Sequence, residues 1–385
     1  MLEARAADGD APTALVTRGW ASFLLSLDDH VLEAIEIHGH EARWPSSVPA
    51  SLGAFAAQAR AVAHSTPPFA WGERVASALP RRGETPRKRA QIDAFAQLIL
   101  PLAANATRVL DVGSGHGHLA REIAGRIAVP VVGLERDVVL AARARTLSLS
   151  SSPVFAVTDV LRDGLSLVGG ECVIGLHACG ELGDAIVESA ARVGASVALV
   201  GCCLQKRRTP SRPALCAPPD LAIALDLPSQ LLGLSNLTAR DAGVESTRAE
   251  NLAGRERRLA LHRLLLADGS GDLRFGSEID GLNRRAAHGD LPSLVARAFA
   301  VRGRPPPSSI VIAEAATWAS AHYARARRLS LPRAMLARVL EVFVLLDRAL
   351  YLEEHGFFVT VGALFPNAVS ARNLALVATR TVKAS

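Results

Sequence analysis

An apolar run, an acid and several closely spaced glycines stand together in the stretch RVLDVGSGHGHL, residues 108–119. The glycines alternate with other residues: Gly113, Gly115 and Gly117. Having no Cβ, they let the backbone turn sharply and come close to a ligand that a side chain would exclude. Asp111 precedes the glycines and Ser114 lies between two of them. We expect these residues to line one end of a nucleotide-like ligand, with Asp111 binding an amino group directly or through water.

Two more acids follow at positions that suit a ribose and a base. Glu135 ends the second apolar run. It lies about 20 residues after the glycines, where a carboxylate can accept hydrogen bonds from both ribose hydroxyls. Asp159 follows the third run, where an acid commonly receives the adenine amino group. Arg136 and Val160 are the next residues in the chain and complete the predicted cofactor pocket.

The pattern distinguishes between two cofactors. Nucleotide-binding dehydrogenases also place glycines after the first strand and an acid after the second. Here the glycines read GSGHG instead of GxGxxG, Leu119 follows closely, and the third acid, Asp159, is present. These details predict S-adenosylmethionine (SAM) and disfavour a nicotinamide cofactor. The sequence also allows a fold of this type that has lost its ligand.

A second group of polar residues follows the fourth and fifth apolar runs. His177-Ala178-Cys179-Gly180 follows one, and Cys202-Cys203-Leu204-Gln205-Lys206 follows the other. Neighbouring parallel strands would bring both segments to the edge of the sheet where ligands bind. His177 could take a proton from the methyl acceptor, with Cys179 and Lys206 as further catalytic candidates. His177 also borders the predicted cofactor pocket.

Two other interpretations of these residues stay open. The cysteines could be small packed residues, with His177 bonded to a loop carbonyl. They could also bind a metal with His177. A His-x-Cys spacing is short for a zinc knuckle, and adjacent cysteines on a strand point in different directions, so we assign no metal ligands. Arg372 and Asn373 either position substrate or form a turn, with an ion pair from Arg372 to Asp347.

The elements that would position these residues alternate along the chain. Short apolar runs at 108–112, 130–135, 154–158, 171–177 and 195–202 are separated by helical patterns. This alternation predicts a parallel sheet with helices on both faces. A long apolar helix over 331–354 and strands over 357–364 and 373–379 would complete it. The predicted fold is α/β, the seven-stranded, mostly parallel sheet of a class I methyltransferase.

The same patterns divide the chain into four segments. We expect a helical N-terminal region over 1–80, the SAM-binding core over 81–204, a helical insertion over 205–330, and a closing helix and strand pair over 331–385. Prolines interrupt the first part of the insertion, where the rhythm of strands stops. The N-terminal region and the insertion are expected to form a lid over the acceptor site.

Several motifs together resemble the methyltransferase-25-like family of class I SAM-dependent methyltransferases. They are DVGSGHGHLA, GLHACGELGDA, VGCCLQKR, LLDRALYLEE, LFP with SARNLALVA, and TPRKR before the sheet. Asn367 and Ala371 depart from the family's pattern. The family is itself similar to a eukaryotic tRNA 2′-O-methyltransferase. The resemblance therefore implies methyl transfer from SAM and favours RNA as the acceptor. The alternatives are a protein or small-molecule acceptor, or a SAM- or nucleic-acid-binding module without catalysis.

Composition limits the remaining possibilities. The 385 residues include 49% hydrophobic ones, enough for a large core, and the formal net charge is +6. Clustered arginines could hold phosphates or coat a solvated surface. No apolar run approaches the length of a membrane span. Five cysteines without a disulfide framework favour the cytoplasm, and the oligomeric state leaves no sign in the sequence.

Overall fold

The computed structural model describes residues 10–69, 83–148, 152–216, 225–239, 247–269, 273 and 276–380. Over these residues the strands, in chain order, are β1 (Val109–Val112), β2 (Val131–Glu135), β3 (Val154–Val157), β4 (Cys172–Leu176), β5 (Ser196–Val200), β6 (Ser211–Pro213), β7 (Asp226–Pro228), β8 (Phe357–Ala363) and β9 (Leu374–Arg380). Seven of them form one sheet in the order β3-β2-β1-β4-β5-β9-β8. Strands β1 to β5 run parallel, and β9 runs antiparallel to both of its neighbours, β5 and β8, which confirms the predicted α/β fold.

The strand order places the candidate site. The chain passes from β1 outward to β2 and β3, then returns to β4 on the other side of β1. Asp111 of β1 lies opposite Gly133 of β2 and Ile174 of β4. A reversal of this kind leaves a crevice beyond the carboxyl ends of the central strands, where open α/β sheets bind ligands.

The helices connect and cover these strands. In chain order they are α1 (Thr13–Thr17), α2 (Ala21–Ser26), α3 (Asp29–His38), α4 (Ala50–Ala63), α5 (Pro86–Ala104), α6 (His118–Ala124), α7 (Val138–Thr146), α8 (Val160–Asp163), α9 (Glu181–Val193), α10 (Ser229–Leu232), α11 (Arg248–Ala267), α12 (Leu291–Val301), α13 (Ser309–Leu329) and α14 (Leu331–Glu354). In the described part of the chain, none of them is long and apolar enough to cross a membrane.

The helix that precedes the sheet has a well-defined start. Thr85 accepts a hydrogen bond from the backbone N–H of Lys88, and Pro86 occupies the first helical position of α5. A threonine cap and a proline at this position both favour helix initiation, because the first N–H groups have no partner within the helix. The start of α5 is thereby fixed, and with it the side chains of its first turns.

The chain forms two compact units, which divide it differently from the four expected segments. One contains Met1–Ala56 and Gly243–Ala334; the other contains Ala57–Ala242 and Met335–Ser385. The described residues between 205 and 239 thus group with the sheet, and β6 and β7 pair there as an antiparallel hairpin. The expected helical insertion over 205–330 is therefore not helical throughout, because it contains the strands β6 and β7. The side chain of Arg212 in β6 is buried against Asp184 of α9, which ties the hairpin to the sheet unit.

The sheet unit has an apolar core on each face. On one face Leu110, Val112 and Val173 pack with Ile186 and neighbouring residues. On the other, Val109 and Ile174 pack with α5 and α6. Strands buried on both faces explain why the sequence shows continuous apolar runs instead of alternation. The sheet therefore holds the candidate site on rigid, fully packed strands.

The other unit is helical and has its own core. Its buried apolar residues belong to two clusters, one around Leu261, Leu294 and Phe299 and one around Leu24 and Leu329. Paired charges also join distant segments of this unit. Glu36 of α3 accepts from both Arg248 of α11 and Arg327 of α13.

Candidate cofactor and acceptor site

The three glycines after β1 take the conformation that the sequence requires of them. The φ values of Gly113, Gly115 and Gly117 are +74°, +56° and +71°, which residues other than glycine rarely adopt. A Cβ on Gly117 would lie 2.2 Å from the ring of Phe155 in β3. A Cβ on Gly115 would meet no described atom within 4 Å. Gly117 is thus needed for packing, whereas Gly115 borders open space in which a ligand can lie.

Glu135 holds this loop against the end of β2. One carboxylate oxygen accepts from the backbone N–H of Gly115 at 2.8 Å, and the other accepts from that of Asp137 at 2.9 Å. Each oxygen has two lone pairs, so each can accept one hydrogen bond more. The predicted ribose contact is therefore compatible with the bonds that Glu135 makes.

Two buried polar atoms beside the glycine loop lack a hydrogen-bond partner among the described residues. They are Oδ2 of Asp111 and Oγ of Ser114. Burial and, to a smaller extent, the negative charge of Glu135 raise the pKa of Asp111 to about 7. A buried polar atom without a partner costs free energy, so these atoms favour a ligand that supplies one. The ammonium group of SAM fits that requirement.

The third predicted acid lies at the end of β3 and is already engaged. One oxygen of Asp159 accepts from the backbone N–H of Leu161 and caps α8, and the other lies 2.6 Å from a guanidinium nitrogen of Arg208. Val160 is buried next to it. Arg136 is exposed after β2. The adenine contact assigned to Asp159 stays a prediction.

His177 follows β4 with a φ of +72°, in the same left-handed region as the glycines. Its Nε2 lies 3.0 Å from the side-chain oxygen of Gln91 in α5, which requires that Nε2 carry the proton. Burial and, to a smaller extent, the charges of Lys88, Arg372 and Arg87 together lower the pKa of His177 to about 4. The imidazole is therefore neutral at pH 7, with the lone pair on Nδ1.

The two other catalytic candidates are Cys179 and Lys206. Cys179 forms a disulfide with Cys202, so its sulfur has no proton to give or take in this form. The sequence offers no sign of that bond. The side chain of Lys206 is exposed, and its backbone carbonyl accepts from the N–H of Glu181. A Cβ on Gly180 would overlap that carbonyl, so glycine is required there for the two loops to pack together.

A buried ionic network supports both loops, and sequence reasoning missed it. Asp184 of α9 accepts from Arg348 at 2.9 Å, from Arg212 at 3.0 Å and from Arg207. Arg348 also donates to the carbonyl of Gly180, which fixes the loop after β4. Burial opposes the charge of Asp184, but the arginines outweigh it and hold the pKa at about 2.

The sequence holds one signal for this network. An aspartate on the apolar face of an amphipathic helix is a signal for the network, because a buried carboxylate needs partners. For Gln91 no sequence signal exists.

The expected ion pair between Arg372 and Asp347 is wrong. Asp347 pairs with Arg212 at 2.6 Å, and Arg372 instead donates to the sulfur of Cys203 at 2.9 Å.

Comparisons with known proteins agree with this geometry. Residues 87–209, about a third of the chain, match the family model described as a methyltransferase domain. The match contains β1 to β5 together with the glycine loop, Glu135, Asp159, His177 and the cysteines.

Solved methyltransferases resemble parts of the chain. One from Haloferax volcanii, in complex with the Trm112 activator, is 20% identical over 28% of this chain and 50% of its own, with a TM-score of 0.24. Magnesium protoporphyrin IX methyltransferase from Synechocystis, with bound S-adenosylhomocysteine, is 18% identical over 31% and 61%, with a TM-score of 0.24. An amino pentose methyltransferase from Micromonospora echinaspora, with bound SAM, is 27% identical over 31% and 52%, with a TM-score of 0.25. The matched part of this chain spans 50% to 61% of the length of these three proteins.

The strand order and the match of residues 87–209 to a methyltransferase domain agree with the class I methyltransferase fold that the sequence predicts. The predicted fold class is thereby confirmed, and a methyltransferase domain agrees with SAM as the cofactor. The narrower family resemblance and the individual site residues stay predictions.

Proposed function

We propose that this protein transfers a methyl group from SAM to RNA. The observation that carries the proposal is the position of His177, a partly buried and neutral imidazole at the end of β4, next to the strand that holds Asp111 and the glycine loop. A base that is neutral at pH 7 can accept a proton from the acceptor as the methyl group is transferred.

The cofactor residues each have a defined task in this proposal. Glu135 would accept from the ribose hydroxyls, Asp111 and Ser114 would bind the methionine end, and Gly115 leaves room for it. Asp159, with Arg136 and Val160, would border the adenine. Bound SAM supplies an electrophilic methyl group. The residues of this chain hold it in line with the acceptor, which is where much of the catalysis comes from.

The acceptor step involves the loops after β4 and β5. The acceptor hydroxyl would lose its proton to Nδ1 of His177 as its oxygen bonds to the methyl group, while the bond between that methyl group and the sulfonium sulfur of SAM would break and leave S-adenosylhomocysteine. Lys206, with its exposed side chain, would orient an anionic acceptor. Cys179 could contribute only in the reduced form, since its sulfur is bonded to Cys202 in this structure.

Positive charge around His177 favours RNA over the alternatives. Arg87, Lys88 and Arg372 all act on the imidazole electrostatically, and each is a cation. Phosphate groups that flank a ribose hydroxyl would complement these charges. A neutral metabolite or a protein side chain has no need of them. A cytoplasmic location, as expected from the composition, is part of the same proposal.

Calorimetric titration with S-adenosylhomocysteine tests the cofactor site first. We expect the wild type to bind and Glu135→Ala to lose affinity by about 100-fold or more, because two charge-assisted hydrogen bonds disappear. Glu353→Ala, which removes an exposed carboxylate elsewhere in the same unit, is the matched control and should bind like the wild type. Equal affinities for wild type and Glu135→Ala would remove Glu135 from the site.

Transfer of labelled methyl groups then tests the acceptor. RNA, protein and metabolite fractions are incubated with labelled SAM, with and without His177→Ala. We expect label in RNA, decreasing with salt because counterions are released on binding, and little label with the variant. Label in protein or metabolites alone would replace RNA by one of the alternatives. Cofactor binding without transfer to any fraction would contradict the enzymatic proposal.

A further inference from the structure

Three cysteines from the loops after β4 and β5 come together in the sheet unit. The sulfur atoms of Cys179, Cys202 and Cys203, here called the cysteine cluster, all lie within 4.8 Å of one another. Cys202 is buried and the other two are partly buried. The remaining cysteines of the chain, Cys172 and Cys216, are buried outside the cluster. The fold therefore selects three of five thiols and brings them to one point.

The backbone explains how adjacent cysteines contribute to the same point. On a strand, successive side chains point to opposite faces, so two adjacent cysteines could not bind the same metal ion. However, β5 ends at Val200, and both Cys202 and Cys203 lie beyond it in irregular backbone. The alternation of a strand therefore does not apply to them, and both sulfurs reach that of Cys179.

We propose that the cysteine cluster, in its reduced form, is a thiolate site for a soft cation, with Zn²⁺ as the ion to test. This inference goes beyond methyl transfer and does not depend on it. Zinc–sulfur bonds are about 2.3 Å long in a tetrahedral site, which places sulfur atoms about 3.8 Å apart. Side chains already within 4.8 Å of one another reach that arrangement by small rotations.

The surroundings suit a site with three thiolates. Three thiolates and Zn²⁺ carry a net charge of −1, and Arg372 donates to the sulfur of Cys203 at 2.9 Å. Outer partners of this kind fix the orientation of a metal ligand and balance its charge. Three protein ligands leave one tetrahedral position for water, the arrangement of zinc sites that act on substrates.

Metal binding requires that the disulfide between Cys179 and Cys202 be open. A thiol reductant supplies the two electrons and two protons: two reductant thiols become one reductant disulfide, and Cys179 and Cys202 become thiols. Each of the three thiols then releases its proton to solvent as the sulfur bonds to the metal, so affinity increases with pH.

Metal titration of the full chain tests the proposal. The protein is reduced with an excess of a thiol, freed of it without oxygen, and titrated with Zn²⁺ against a chromophoric chelator and, separately, with Co²⁺. We expect one ion per chain, with Co²⁺ giving sulfur-to-metal charge-transfer absorption. Cys203→Ser keeps both cysteines of the disulfide pair. It should weaken Zn²⁺ binding by about 100-fold or more. Cys179→Ser and Cys202→Ser should do the same.

Two controls keep the outcome interpretable. Cys216→Ser removes a buried thiol outside the cluster and should bind Zn²⁺ like the wild type. Glu135→Ala should lose S-adenosylhomocysteine and keep Zn²⁺, so that failure of the cofactor site and failure of the metal site are distinguishable. Stoichiometric binding that Cys203→Ser retains would overturn the proposal. The proposal would also be overturned if reduced Cys216→Ser protein, titrated with Co²⁺, showed no sulfur-to-metal charge-transfer absorption. This second test does not require that the cluster variants fold.

Discussion

The Nε2 nitrogen of His177 lies 3.0 Å from the side-chain oxygen of Gln91, so that a loop after β4 is bonded to the helix that precedes the sheet. Gln91 is buried, and this bond fixes both the ring orientation and the tautomer of the imidazole. Lys88 lies one turn earlier on the same helix. Its positive charge is, after burial, the second largest cause of the lowered pKa of His177. Helix α5 is thus part of the candidate site and tunes its base.

Gln91→Glu should make methyl transfer depend on pH. In the wild type the pKa of His177 is about 4, so the imidazole is neutral from pH 5 to 8 and its ionisation leaves the rate unchanged. A carboxylate at the same 3.0 Å favours the protonated ring and raises that pKa. A protonated ring cannot take a proton, so the rate should fall as the pH decreases and recover at higher pH. Rate–pH profiles and proton NMR titration of His177 measure both effects.

The control for this change is Gln97→Glu, which adds the same charge on the same helix. It should leave the profile flat, because Gln97 lies more than one turn further along α5 and outside the bond to His177. If Gln91→Glu left the NMR titration of His177 unaltered, the contact between the two side chains would not exist in solution.

Replacing His177 by glycine should separate strain from function. The φ of +72° costs a residue with a side chain about 1–2 kcal/mol relative to glycine. His177→Ala and His177→Gly both lose the bond to Gln91, but only glycine relieves the backbone. We expect His177→Gly to be more stable to urea than His177→Ala by about 1 kcal/mol. Both variants should lose methyl transfer. Equal midpoints of unfolding would mean that residue 177 has ordinary backbone geometry.

Asp111 should make cofactor affinity depend on pH. Its pKa of about 7 means that the carboxyl is half neutral at pH 7, because burial disfavours the charged form. An ammonium group binds the carboxylate and not the neutral acid. Affinity for S-adenosylhomocysteine should therefore rise with pH up to about 7 and level off above it, with at most about a tenfold gain per pH unit below 7. Calorimetry in buffers of different ionisation enthalpy should show proton release on binding.

The matched variant for this test is Asp111→Asn, which keeps the shape and has no charge to lose. Its affinity should be lower and should not change between pH 5.5 and 7.5. A wild type that binds equally well across this range would place the ammonium group away from Asp111.

Elements with a local pattern could be predicted, whereas contacts between distant residues could not. The apolar period of α14 predicts its bounds, residues 331–354, as the structure has them. The glycine loop and Glu135 follow from strand ends and spacing. By contrast, the bond from His177 to Gln91 spans 86 residues, and that from Arg348 to Asp184 spans 164. No periodicity encodes such partners. The hairpin of β6 and β7 was missed for the same reason, since its short strands depend on the buried Arg212.

The glycines at 115 and 117 should respond differently to the same substitution. Gly115→Ala places a methyl group in open space with a positive φ, so stability should fall by about 1–2 kcal/mol while S-adenosylhomocysteine binding falls at least about tenfold. Gly117→Ala meets the ring of Phe155 at 2.2 Å, and should lose about 2–5 kcal/mol of stability. Adding Phe155→Leu should restore part of the loss at 117 and none at 115. Urea unfolding with calorimetry on the same samples measures both quantities. Normal cofactor affinity in Gly115→Ala would show that the ligand does not approach the backbone there, and equal stability of the two variants would show that Phe155 yields.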